Sequence, residues 1–223
     1  MNLSKETLEV LNNFASINPN ILISPGQQLK TISEAKNILA TAEIIEDFPL
    51  EFGIYDLNEF LNVLNIVDNP NLRFEKENVV IENDSSRVNY FYSSSEILTS
   101  PQKDITMPDP EFNINISEEQ LNKIRKAAAV LGHNELAIVG DNGAIHIEVL
   151  DTNDATANKF TMVLETSNPC INSFRFIFNI PNLKLLPGDY FVSISSKCIS
   201  NWVSSTYPIN YFIALEKSSE FHV

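Results

Sequence analysis

One pattern of residues occurs twice in this chain, in the same order and about 113 to 124 positions apart. Each occurrence opens on an amphipathic helix. The first begins at Ser4, a good N-cap, and its periodicity predicts a helix to Ala15 with Leu8, Leu11, Phe14 and Ala15 on one face. The second begins at Ser117, where Ser-Glu-Glu-Gln is a capping box with Gln120 at the third helical position. Leu121, Ile124, Ala128 and Leu131 form its apolar stripe, and Gly132 ends it. Further on, "FGIYDLNEFL" (52–61) is matched by "FIFNIPNLKL" (176–185), and "VNYFYS" (88–93) by "INYFIA" (209–214). A long-period repetition of strand-rich segments predicts two similar units built to one plan.

Each helix is expected to lead into a hairpin. After the first, "ILIS" and "QLKTIS" flank Pro25-Gly26, a pair suited to a type II turn. After the second, "ELAIV" and "AIHIEV" flank Asp141-Asn142-Gly143. In "AIHIEV", Ile145, Ile147 and Val149 alternate with His146 and Glu148, so one face is expected to be buried and the other wet. The first unit carries another helix, in which Leu57, Phe60, Leu61 and Leu64 share a face. Its counterpart, "IPNLKLLPG", is broken by Pro187-Gly188 and holds barely more than one turn. Between the units, a stretch with Pro101, Pro108, Pro110 and several serines reads as a connector. The expected division is therefore residues 1–100, connector 101–111, and residues 112–223. The fold class is α+β, two similar domains with helices lying on antiparallel sheet.

The composition narrows the function classes. Charged residues make up 20% of the chain, and no long charge block points to a disordered tail. The N-terminal segment is amphipathic, without the apolar core of a secretory signal. No apolar run approaches the ~20 residues of a membrane span, so no membrane partner is expected. Cys170 and Cys198 are far apart and read as free thiols of a cytosolic protein. The nucleotide-binding and hydrolase motifs G-x-x-x-x-G-K-[ST], G-x-G-x-x-G and G-x-S-x-G are missing, and there are six glycines in all. His133, His146 and His222 are scattered and read as surface or tail residues, with no metal site. "DTNDATANKFTM" starts like a calcium loop with Asp151, Asn153 and Asp154. It then places Thr156 where glycine is needed and Met162 where a bidentate glutamate is needed. No cofactor is implied, and binding is favoured over catalysis.

The charge is uneven. Fifteen basic residues stand against 29 acidic ones, a net charge of −14, yet Lys123, Arg125 and Lys126 fall within one helix. With its apolar stripe facing inward, Lys123, Lys126 and Asn122 point outward and Arg125 lies on the flank. Helix 4–15 shows Lys5, Glu9, Asn12 and Asn13 on its open side, and helix 57–67 shows Asn58, Asn62 and Asn65. Lysine and asparagine reach phosphate oxygens without reading bases. The competing explanation is a solvated helix face whose lysines answer the helix dipole.

Four segments carry a family resemblance: "LSKETLEVLNNFASINPNILIS" (3–24), "YDLNEFLNVL" (55–64), "NIPNLKLLPGDYFV" (179–192) and "YFIALE" (211–216). Together they resemble the sliding clamps of T4-type bacteriophages, the processivity factors of DNA polymerase. The resemblance implies a DNA-clamp fold and a head-to-tail homotrimeric ring, with sheets outside and helices lining a hole for duplex DNA. It implies no catalysis. The implied partners are duplex DNA without sequence preference, other copies of the chain, the replicative DNA polymerase, an ATP-driven clamp loader and late-transcription factors. The implied location is the cytoplasm of an infected bacterial host. The DNA-facing role falls on Lys5, Lys123, Arg125, Lys126 and Lys184. An acidic two-domain virion or scaffold protein, or an enzyme with dispersed site residues, are the rival readings.

Overall fold

In the computed structural model, which describes residues 1–141, 143–164 and 173–222, the chain divides into two compact units. The first holds Met1–Asp104 with two short returning segments, Lys184–Leu186 and Pro208–Asn210. The second holds the remaining residues. Asn142, at the centre of the expected turn, and Cys170 lie outside the described residues; Cys198 is a free, exposed thiol.

The first unit runs α1 (Lys5–Ile17), β1 (Ile21–Ile23), β2 (Gly26–Ile32), β3 (Ile38–Phe48), β4 (Phe52–Ile54), α2 (Leu57–Ile66), β5 (Asn71–Phe74), β6 (Asn78–Glu82) and β7 (Arg87–Phe91). The Ser4 hydroxyl accepts from the Thr7 backbone N–H at 3.1 Å and starts α1. Val10, Leu11, Phe14, Ala15 and Ile17 are its buried residues, with Thr7. The helix continues two residues past Ala15, until Asn18 turns extended ahead of Pro19.

A second group completes the cap. The Glu46 carboxylate, from β3, accepts from the Ser4 backbone N–H and from the Thr7 hydroxyl. Burial alone would raise the Glu46 pKa, but these bonds from Thr7 and Ser4 hold it below the ordinary carboxylate value. A strand residue thereby meets two donors at a helix start that would otherwise lack partners.

The Pro25-Gly26 expectation needs correction. β1 pairs antiparallel with β4, not with β2, with Ile21 opposite Ile54 and Ile23 opposite Phe52. β2 pairs instead with β3, through a bulge at Gly26–Gln28. Gly26 does take the positive φ, +109°, that its position requires. Type II turns splay the strands they join, whereas two-residue hairpins need the primed types. Pro-Gly here turns a corner and sends the chain into another ladder. The third sheet is the meander β5-β6-β7, in which β7 is an edge. Phe48, Phe52, Phe74 and Tyr92 form an aromatic cluster in this unit.

The second unit runs β8 (Phe112–Ile116), α3 (Glu118–Leu131), β9 (Glu135–Asp141), β10 (Ala144–Leu150), β11 (Phe160–Leu164), β12 (Ser173–Asn179), a 3-10 turn (Ile180–Asn182), β13 (Tyr190–Ser195), β14 (Ile199–Ser204), β15 (Ile209–Ala214) and β16 (Glu220–His222). One sheet has the order β11-β10-β9-β12-β16, and a second ladder runs β15-β14-β13-β8. β9 and β10 form the expected hairpin, with Asp141 opposite Ala144 and Gly143 at φ +83°. Trp202, Tyr190, Tyr211, Phe176 and Phe178 are fully buried, and the Trp202 indole N–H donates to Ser200 Oγ at 2.9 Å.

The two-faced reading of β10 is only half right. Ile145, Ile147 and Val149 are buried, but so is Glu148. Lys159 Nζ lies 2.7 Å from its carboxylate, with Arg175 at 3.9 Å and His146 at 3.6 Å. A carboxylate is tolerated inside when cations such as Lys159 and Arg175 pair with it. The two units are similar, each with a leading helix and a closing three-strand meander. Where the first has α2, the second has only the 3-10 turn at Ile180–Asn182, as Pro187-Gly188 predicted.

The Glu46 cap sets an expected outcome. Glu46→Ala leaves the Ser4 and Thr7 donors without their acceptor and lowers unfolding stability by about 1–3 kcal/mol, measured by urea denaturation. The folded pKa is depressed, so this contribution is fully present above the unfolded carboxylate pKa and disappears as pH falls through the folded value. The variant should therefore show a shallower acid-side loss of stability than the parent.

Candidate nucleic-acid interface

The local sequence fixes the rotation of α3. Ser117 Oγ accepts from the Gln120 N–H at 3.2 Å, and Gln120 Oε1 accepts from the Ser117 N–H at 2.8 Å. A third bond, from the Glu118 N–H to Asp189 Oδ1 at 2.8 Å, ties the first turn to the residue before β13. Leu121, Ile124 and Ala128 are buried, and Gly132 closes the helix at φ +71° with its N–H on the Ala128 carbonyl. With the stripe held, Asn122, Lys123, Lys126, Ala129 and Val130 face solvent.

The expected DNA-facing cations have unlike surroundings. Lys123 Nζ lies 2.7 Å from Glu119 Oε1, one helical turn back. The hydrogen bond and charge of Lys123 hold the Glu119 carboxyl below its usual pKa. Lys126 is exposed and, among the described residues, forms no ion pair. Arg125 is half-buried and donates from Nη2 to the Leu183 carbonyl at 3.3 Å, at the end of the 3-10 turn. It supports the fold more than it presents charge. Lys5, at the start of α1, is exposed but lies 3.5 Å from Glu9. Lys184 Nζ donates to the Ser16 carbonyl near the C-terminus of α1, while its own carbonyl accepts from Asn13 Nδ2 at 2.9 Å. Asn13 is therefore half-buried and engaged, not open as the helical wheel suggested.

On α2 the Asp56 carboxylate accepts from the Glu59 N–H at 2.9 Å. Leu57, Phe60, Leu61 and Leu64 are buried, as the sequence indicated. Asn58, Asn62 and Asn65 are exposed and no basic residue stands on the helix. Sequence reading passed over the acid partners of Lys5 and Lys123, although their four-residue spacing was visible. It also had no means of identifying edge strands. Among the described residues β7 and β11 each end a sheet, and they carry exposed apolar side chains: Phe91 is 67% and Val163 74% accessible. For these two positions the pairing pattern, not the sequence, is the signal.

The described residues contain no cluster of acidic, histidine or cysteine side chains able to hold a metal ion. A cavity of about 540 Å³ in the second unit is lined by Glu148, Asp151, Asp154, Lys159, Arg175 and Glu220, among others. Burial would raise the Glu148 pKa, but the hydrogen bond and charge of Lys159, together with the neighbouring His146 and Arg175, hold it below the ordinary carboxylate value. A general acid or base working near pH 7 needs the opposite shift. No helix among the described residues is long and apolar enough to cross a membrane.

Comparison with known proteins is consistent along the chain. A family model described as DNA polymerase processivity factor matches residues 4–98. A second, described as gp45 sliding clamp, C terminal, matches residues 113–217. The chain is 32% identical over 221 residues to the sliding clamp of Vibrio phage KVP40, covering 97% of this chain and 99% of that one. It is 29% identical over 225 residues to the sliding clamp of Enterobacteria phage T4, covering 98% of each. In fold it is similar to A. fulgidus PCNA solved with the C-terminal region of FEN-1, with a TM-score of 0.71 at 14% identity over 98% of both chains.

The contrast between Arg125 and Lys126 gives an expected outcome. Arg125→Gln removes the donor to the Leu183 carbonyl and lowers stability by about 0.5–1.5 kcal/mol. Lys126→Gln changes stability by no more than about 0.5 kcal/mol. Thermal unfolding of the two variants side by side measures the difference.

Proposed function

Because this chain belongs to the sliding-clamp family of DNA polymerase processivity factors, we propose that three copies close head to tail into a ring around duplex DNA and tether the replicative polymerase to its template. Each copy contributes two clamp domains, residues 1–100 and 112–223, joined by the connector 101–111. α3 faces the phosphates with Lys123 and Lys126, supplemented by Lys5, while Arg125 and Lys184 lie nearer the fold they support. Such a ring does no chemistry. An ATP-driven loader opens and closes it, late-transcription factors use it as a moving platform, and it works in the cytoplasm of the infected host.

The observation that carries the ring is the pair of apolar edges. An exposed edge strand bearing Phe91 or Val163 is a hazard for uncontrolled association unless a defined partner covers it. β7 belongs to the first unit and β11 to the second, so pairing one with the other joins unlike surfaces. Such a heterologous contact produces a closed ring when the rotation suits. The lysines then provide a diffuse, salt-sensitive attraction, and the acidic surplus elsewhere disfavours DNA on other surfaces. Family membership leaves the virion-scaffold reading without support.

Light scattering should give about three chain masses for the parent protein. Phe91→Glu or Val163→Glu should shift it to single-chain mass while circular dichroism stays native. A parent that remains monomeric at high concentration contradicts the ring. Reversing Lys123 and Lys126 together to glutamate should leave the mass at three chains and reduce polymerase processivity at moderate salt. Unchanged processivity contradicts the placement of α3.

A further inference from the structure

We propose that Glu119 sets the strength of the clamp's grip on DNA by holding Lys123 in reserve, so that Lys123 passes between an intrahelical carboxylate and a DNA phosphate. This rests on the reading that α3 faces the duplex.

Three observations carry it. Lys123 and Glu119 make a close contact of 2.7 Å, and both side chains are exposed, at 56% and 77% accessibility. The acid stands four residues before the base, the more favourable order along a helix. On α1 the order is reversed, Lys5 before Glu9, and the separation is longer at 3.5 Å. The neighbour Lys126 has no such acid partner among the described residues, although it shares the open face. One turn of α3 thus carries a standing cation and a held one.

An exposed ion pair is weak, because water screens it and two long side chains must be ordered to make it. It is worth about a factor of two in equilibrium terms, so a phosphate displaces the carboxylate readily and the carboxylate recovers the lysine as readily. A ring held by topology has no need of a tight grip and is slowed by one. As the duplex moves past, Lys123 releases one phosphate to Glu119 before meeting the next. The carboxylate lowers the cost of leaving each phosphate, and its negative charge limits the total attraction.

The test is equilibrium binding of the assembled ring to a short blunt duplex, over which it threads, between about 50 and 200 mM salt. Glu119→Gln should tighten binding at low salt roughly five- to tenfold, the factor of two taken over three subunits. The salt dependence should steepen by up to about 3, at ~0.9 for each newly committed lysine. In a Lys123→Gln background the same change should shift affinity less than about twofold, because the reserve has been removed. Lys126→Gln should flatten the salt dependence by about 3, and it reports on the facing of α3 alone. If Glu119→Gln changes nothing, or tightens binding equally with and without Lys123, the reserve is disproved while a Lys126 effect keeps the facing of α3 in place. If neither Lys126→Gln nor Lys123→Gln alters binding, α3 does not face DNA and both readings fall.

Discussion

Both units depend on a leading helix whose first turn is pinned from elsewhere in the fold. In α1 the pin is Glu46, from β3, which accepts from Ser4 and Thr7. In α3 it is Asp189, which accepts from the Glu118 N–H beside a complete capping box. Each carboxylate sits where the helix dipole favours negative charge. Once the N-terminus is fixed, the apolar stripe has one rotation that buries it, and the residues of the opposite face are assigned to solvent as a set. The lysines of α3 are exposed because Leu121, Ile124 and Ala128 are buried by packing on the opposite face, while Ser117, Gln120 and Asp189 fix where the helix begins.

What was legible in the sequence was mostly local. The capping box and the glycine at 132 define α3 within a few residues, and the Asp141–Gly143 turn defines β9–β10, because neighbours along the chain decide them. Repetition supplied the long-range information and predicted two similar units with a truncated helix in the second. The errors arose where tertiary partners decide. Pro25-Gly26 fits a turn in isolation, but β1 takes the distant β4 as its partner, with Leu22 opposite Gly53, and leaves β2 to pair with β3. Glu148 fits a wet face by alternation, yet Lys159 and Arg175 arrive from other strands and loops to bury it. The edge status of β7 and β11 is a property of the whole sheet. Glu119 and Glu9 were different: their spacing was open to inspection, and they change the meaning of the nearby lysines.

The charge distribution has a consistent physical logic. A net charge of −14 keeps the chain from adhering to DNA at random. Against that field, the helices and the segment after the 3-10 turn offer few cations. α2 carries none, Arg125 and Lys184 are bonded to backbone carbonyls, and Lys5 and Lys123 are paired with acids. A protein that held DNA by affinity would need many phosphate contacts in a fixed arrangement. One that holds DNA by enclosure needs weak contacts that exchange easily. Sparse and partly neutralised lysines suit the second case.

Enclosure separates itself from ordinary binding by retention on DNA of different topology. The clamp would be loaded onto nicked circular duplex, separated from free protein, and the circle then cut once. An enclosing ring persists on the circle at salt concentrations that abolish ordinary electrostatic binding, and is then lost from the cut molecule through its ends. Equal persistence on circular and linear DNA would contradict enclosure.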